Sequence, residues 1–99
     1  MEFNLHKISG QESMVRFLLL ENGTFIAGKV EFHSDLWTQF CLSSRNNDNS
    51  KPSLSGAGAF FHNHPGVITW TSLGFSFITP HEKRGEILEF IEKIRTEFN

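Results

Sequence analysis

Two histidines one residue apart, His62 and His64 in the stretch AFFHNHPGVITWTS at residues 59–72, are the residues best placed by type and spacing to do chemistry. On a strand, positions i and i+2 share a face, so both imidazoles could reach one Zn²⁺ at ~2.0–2.1 Å. His6 or His33 would then be the candidates for a further ligand, and their spacing selects neither. The same letters also suit a strand end, a turn and a new strand, with Pro65 and Gly66 present for their φ values. In that reading His62 and His64 are rim residues, hydrogen-bonded locally or offered to a partner. It is the reading adopted, so no metal and no cofactor are expected.

Other chemistry is thinner. The single cysteine, Cys41, lies between Phe40 and Leu42 and reads as a small packed residue rather than a nucleophile. One cysteine allows no internal disulfide and suits a reducing compartment. Glu31 and Asp35 are close in sequence, but paired-carboxylate catalysis needs a cleft that the sequence does not place. Gly56 and Gly58 in SLSGAGAF are followed by no helix, so they do not form a phosphate cradle. There is no Cys-x-x-Cys and no Gly-x-Ser-x-Gly.

The elements that would position these groups read as strands and then a helix. EFNLHKI alternates, MVRFLLL is a short apolar run, and Asn22-Gly23 before TFIAGKVEFH is a strong hairpin signal. Gly28 suggests a bend or bulge. DLWTQFCLS alternates again, with Leu36, Phe40 and Leu42 on one face and Trp37, Gln39 and Cys41 on the other. Residues 43–56, SSRNNDNSKPSLSG, are too polar to bury themselves and read as a mobile surface loop. AGAFFHN and VITWTSLGFSFI read as two more strands, the second with a bulge at Gly74.

The last element is a helix in TPHEKRGEILEFIEKIRTEF. Thr79 and Glu82 have the spacing of a capping box, with Pro80 at the first helical position. Ile87, Leu88, Ile91, Ile94 and Phe98 form one stripe, with Phe90 at its edge, while Glu86, Glu89, Lys93 and Glu97 face away. Gly85 implies close approach to the sheet. The stripe must cover a sheet, so the expected fold is α+β: a curved antiparallel sheet, a half-barrel, packed on one C-terminal helix. Residues 1–99 are read as a single domain.

Bulk composition narrows the function classes. Eleven Phe, two Trp and no Tyr supply large apolar burial with few polar tips, and most of the Phe are read as core. The net charge is −2, evenly spread, so nucleic acid is not an expected partner. No apolar run approaches the ~18 residues of a membrane span, and MEFNLHKISG does not have the pattern of a signal peptide. A cytoplasmic setting is expected. If the C-terminal helix fills the concave face, Trp37 and Trp70 face outward, and exposed Trp is common at interface hot spots.

Two resemblances follow. HNHP with Ser72 is similar to the signature of the JAMM (MPN) metalloproteases, His-x-His-Pro followed by a Ser and then an Asp. That resemblance implies a zinc-dependent peptidase or isopeptidase with His62 and His64 as ligands, Ser72 supporting the oxyanion and an upstream Glu, such as Glu31, as base. Here the Asp position is Phe75, which cannot ligate a metal, so the resemblance also admits a degenerate, non-catalytic relative. In size, α+β build and lack of catalytic motifs, the chain broadly resembles the bacterial immunity proteins of contact-dependent growth inhibition systems. That resemblance implies a non-enzymatic inhibitor that covers the active site of a toxin domain. Asp35, Trp37, Asp48, His62, His64 and Trp70 would be its partner-binding residues. A homodimer joined through exposed strand edges is the remaining reading.

Overall fold

The computed structural model describes residues 2–43, 51–64 and 66–99. Asp48 and much of the segment read as a polar loop therefore lie outside the described residues. The chain forms β1 (Asn4–Ile8), β2 (Val15–Leu20), β3 (Thr24–Gly28), α1 (His33–Ser43), β4 (Leu54–Phe60), β5 (Ile68–Thr69), β6 (Thr71–Ser72) and β7 (Phe77–Ile78). A 3₁₀ turn at His81–Lys83, helix α2 (Arg84–Ile94) and a second 3₁₀ turn at Arg95–Phe98 end it. The α+β class and the C-terminal helix packed on a sheet are as the sequence implies.

The sheet is open and five-stranded, in the order β1-β3-β2-β4-β5, with β6 and β7 as a separate two-stranded ribbon. The expected β2–β3 hairpin forms around Gly23, which has φ 95°. The Gly23 N–H reaches Leu20 O at 3.0 Å, and the Asn22 side chain accepts the Thr24 N–H at 3.0 Å. The sheet is mixed rather than purely antiparallel, because β1 pairs parallel with β3. The first strand passes over the hairpin and adds to its far side. Strands β3 and β4 each run antiparallel to β2, which lies between them. They are therefore parallel to one another and need a crossover connection.

That crossover is α1, where a strand was expected. Leu36, Trp37, Phe40 and Cys41 satisfy helical spacing as well as rough alternation, so periodicity alone does not decide over eleven residues. The ends decide. Phe32 N–H bonds to Asp35 Oδ2 at 3.1 Å, an acidic side chain reaching back from the first turn. Leu42, inward on a strand, is instead 70% exposed on the helix.

Because α1 covers one face and α2 the other, the sheet carries two apolar layers rather than one concave face. Val15, Phe17 and Leu19 of β2 join Phe25, Phe60, Ile87, Ile91, Ile94 and Phe98 on the α2 side. Leu18 and Leu20 join Ile26, Leu36 and Ala57 on the α1 side. VRFLLL is an unbroken apolar run because it is buried on both faces. Of the eleven Phe, only Phe32 is exposed, in keeping with their reading as core.

Several local expectations change. Strand β4 begins at Leu54, so residues 54–56 belong to the sheet. VITWTSLGFSFI is not one strand: it breaks into β5, β6 and β7, with Ser76 at φ 50° in the tight turn between the last two. Gly28 holds regular register opposite Ile8. A Cβ there would lie 2.5 Å from Ile8 O, so close strand approach, not a bulge, demands glycine. The register shift falls at Leu19/Leu20. Gly85 faces open space rather than the sheet.

Thr79 is no capping residue. It is fully buried, and its hydroxyl accepts the Ala57 N–H at 3.0 Å while donating to Ala57 O at 2.6 Å. Strand β5 stops after pairing Ala59 with Thr69. Thr79 then satisfies the next outward-facing backbone pair of β4 with one side chain.

Candidate functional site

The histidine stretch is where a strand becomes a turn. Strand β4 ends at Phe60, so His62 and His64 are not i and i+2 on a strand. His64 is exposed; its N–H bonds Phe61 O at 3.2 Å, and its carbonyl accepts the Val67 N–H at 3.3 Å. His62 is half-buried, and its Nδ1 finds no hydrogen-bond partner among the described residues. Arg95, itself buried, anchors the turn by donating from Nη1 to Phe61 O at 2.6 Å.

The other candidate ligands lie elsewhere. His6 packs edge-on against Phe40 and bonds Ser43 Oγ at 3.1 Å. His33 is held at Gly58. Among the described residues, no three His, Cys, Asp or Glu side chains gather to hold a metal. Glu31 occupies an exposed bend before α1, not a strand. Ser72 is 1% exposed, and its Oγ has no partner among the described residues.

The remaining proposed contact residues do not form one surface. Asp35 serves as the helix cap described above. Trp37 is half-buried in the α1-side layer and stacked on Phe40 at 5.7 Å. Trp70 is half-buried in the α2-side layer, edge-on to Phe17 at 6.3 Å, with the Arg84 guanidinium 5.7 Å from its ring centre. The two tryptophans thus sit on opposite sides of the sheet, each against a core layer, where the sequence reading put both outward. Their contact area goes first into the fold.

The structure assembles a different site, on the α1 side at the end of the sheet. Register places Arg16 beside Ala59 and Ala59 beside Thr69, one row across three neighbouring strands. Side chains in such a row share a face. Ala59 is the small member, so a depression opens above it. A cleft of about 410 Å³ results, walled by Met14, Phe32, His33, Thr71 and Leu73. A larger depression of about 620 Å³, beside Ser9, Gly10, Lys29 and Gln39, is mostly polar surface.

Chemically the cleft is mixed. Phe32 and Leu73 are 59% and 92% exposed apolar side chains at its lips. Arg16 is half-buried and donates through Nη1 to Val30 O. His33, at the start of α1, approaches Gly58 O with Nε2 at 2.8 Å. A carbonyl only accepts, so Nε2 carries the proton of the neutral ring. Burial holds the imidazole below its ordinary value of 6.5; the Gly58 carbonyl opposes that shift, and the Arg16 charge adds to it.

Sequence reading missed this cleft because its parts come from residues 14–16, 31–34, 59 and 69–74. One signal was present: the small residues of GAGA on a strand between bulky neighbours. A Cβ on Gly58 would stand 2.0 Å from Thr69 O and 2.9 Å from Phe17 Cζ, which shows how closely β5 approaches there. Searches of family models, of curated proteins and of solved structures each find no match to this chain.

Proposed function

We propose that the chain is a small protein-binding module that works by covering a surface of another protein, in the manner of an immunity-type inhibitor of a toxin domain, and that it is not an enzyme. The observation that carries this is the lip of the α1-side cleft. Leu73 at 92% and Phe32 at 59% exposure are large apolar groups held in water beside a half-buried cation. Apolar side chains rimmed by polar groups around a concavity mark interaction surfaces. Ile78, 68% exposed, lies opposite Thr71 in the β6–β7 ribbon and extends the apolar lip. The mechanism is steric: an anchor enters the cleft, the lips exclude water around it, and the partner's own site is covered.

The test is site-specific photo-crosslinking in extracts of the producing cell, from position 73 and, as a control, from exposed position 86 on the far face. The reading expects one discrete protein adduct from position 73 only. Unlabelled wild-type chain should compete it away, and Leu73→Asp chain should not. The captured partner should be toxic when expressed alone and harmless with the chain. Identical adducts from both positions, or none, would overturn the reading; an adduct of two copies of this chain would make the face a homodimer interface instead.

A further inference from the structure

The cleft's cation, Arg16, has no ion-pair partner among the described residues, although the Glu31 carboxylate also lines the cleft. The ion pair shown among the described residues is Glu92–Arg95 at 2.6 Å, remote from Arg16. One Arg16 nitrogen is committed to Val30 O, which leaves the rest of the fork facing a cleft that also offers the hydroxyl of Thr71, while Thr69 Oγ1 donates to Ala59 O at 3.4 Å. The groups around His33 are few: Arg16 from β2, Glu31 from the bend before α1, Asp35 on its own helix, and neutral residues of β4, β5 and β6. Asp35 is engaged at Phe32 N–H. Glu31 is exposed, so water and salt screen its repulsion far more than they screen the half-buried guanidinium.

We propose, building on the docking reading above, that this cleft takes the C-terminal residue of a partner chain, a carboxylate carried beside an apolar side chain. Arg16 holds the carboxylate, and His33 gains a proton as it binds. One residue can satisfy the whole cleft: its carboxylate lies over the Arg16–Ala59–Thr69 row, and its side chain lies between Phe32 and Leu73. An internal acidic residue would carry the two features on separate side chains and need a longer groove. The proton follows from charge. Burial disfavours the charged form of His33 and the Arg16 charge adds to that, while the bond to Gly58 O opposes both. An anion next to Arg16 cancels that repulsion and favours the imidazolium, which adds its proton on Nδ1 and keeps the Nε2–H bond to Gly58 O.

The experiment is NMR titration of isotope-labelled full chain with three probes: N-acetyl-leucine, its carboxamide, and N-acetyl-aspartyl-leucinamide. The expected result is that N-acetyl-leucine shifts the amides of Thr69, Thr71 and Leu73 and raises the titration midpoint of the His33 ring. It should bind about tenfold or more tightly than the carboxamide. Binding should be several-fold tighter at the acid end of the His33 titration than at its alkaline end. Arg16→Gln should abolish the preference for the acid. Because that change also removes a bond to Val30 O, Leu73→Asp, at an exposed position, serves as the second variant and should weaken all binding. Equal shifts with acid and carboxamide, tighter binding of the aspartyl probe, or no shifts at tens of millimolar would each overturn the proposal. The probes need no protein partner, so failure here with a successful crosslink at position 73 refutes the carboxylate alone. The reverse outcome refutes the docking reading and leaves a small-carboxylate site.

Discussion

Replacing Thr79 by Val removes one oxygen and almost no volume, yet it should be among the most damaging changes outside the apolar layers. The Thr79 hydroxyl satisfies both the N–H and the C=O of Ala57, at 3.0 and 2.6 Å, and the residue is fully buried. Valine fills the same space, so no cavity term enters. What remains is two backbone groups of β4 with no partner and no water. An unsatisfied buried group costs about 1–3 kcal/mol, so the pair implies a loss of about 2–6 kcal/mol. At roughly 4–8 °C per kcal/mol for a domain of this size, the melting temperature should fall by at least ~8 °C. Thr79→Ser keeps the hydroxyl and loses one methyl, about 1 kcal/mol. Urea unfolding followed by tryptophan fluorescence reads both variants, with Trp70 close by, since Trp70 O accepts the Thr79 N–H at 2.7 Å. A Val variant within about 0.5 kcal/mol of wild type, or a Ser variant as unstable as Val, would refute the claim that the hydroxyl acts as a sheet partner.

Other substitutions test other parts of the fold. Gly85 faces open space in the first turn of α2, so Gly85→Ala should stabilise by about 0.5–1 kcal/mol in thermal melts. Gly58→Ala should do the opposite, costing about 3 kcal/mol or more, because the new Cβ would stand 2.0 Å from Thr69 O and force β5 away. Leu36 is the buried anchor of α1, and Leu36→Ala should cost about 2–5 kcal/mol by chemical denaturation. The depressed value of His33 means the unfolded chain takes up its proton first as pH falls. Its contribution to stability is therefore complete above the ordinary value of 6.5 and declines as pH drops below it toward the folded value. His33→Gln, which can still donate to Gly58 O, should flatten that part of the stability–pH curve.

What could be read from the letters was local and periodic. The Asn22-Gly23 hairpin, the stripe on α2 and the strand character of VRFLLL each depend on neighbours within about a dozen residues, and each is present, except that Leu88 of the stripe is exposed. What could not be read depended on which faces were already occupied. DLWTQFCLS fits both a strand and a helix until it is known that a crossover is needed between two parallel strands. That need appears only once β2 is seen to lie between β3 and β4. The same gap misled the reading of the tryptophans. With one helix and one concave face, an outward position for Trp37 and Trp70 stood beside burial by strand curvature or by the 43–56 loop; with a helix on each face, both have a layer to pack against. The threonine was misread for a related reason. Thr-Pro-His-Glu has the letters of a helix cap, but the sheet edge at Ala57 took the hydroxyl first.

The distribution of aromatic rings explains why this cleft lies on the α1 side. Phe3, Phe17, Phe25, Phe60, Phe90 and Phe98 make a linked set of ring contacts on the α2 side, with centroids 4.9–6.4 Å apart. Large rings fill the irregular space between helix and sheet and leave little to open. On the α1 side the central positions are aliphatic, and β4 contributes alanines at 57 and 59. Leu36 of α1 and Phe75 and Phe77 of the ribbon pack into the layer that holds Ala57, whereas Ala59, 4% exposed, lies at the floor of the cleft. The void therefore follows from small residues at the end of the sheet, where the covering helix begins, and not from any loss of core. Changes to the lip at Leu73 or Phe32 should then leave stability within about 0.5 kcal/mol while altering binding. A lip variant that bound normally yet unfolded easily would place those residues in the core instead.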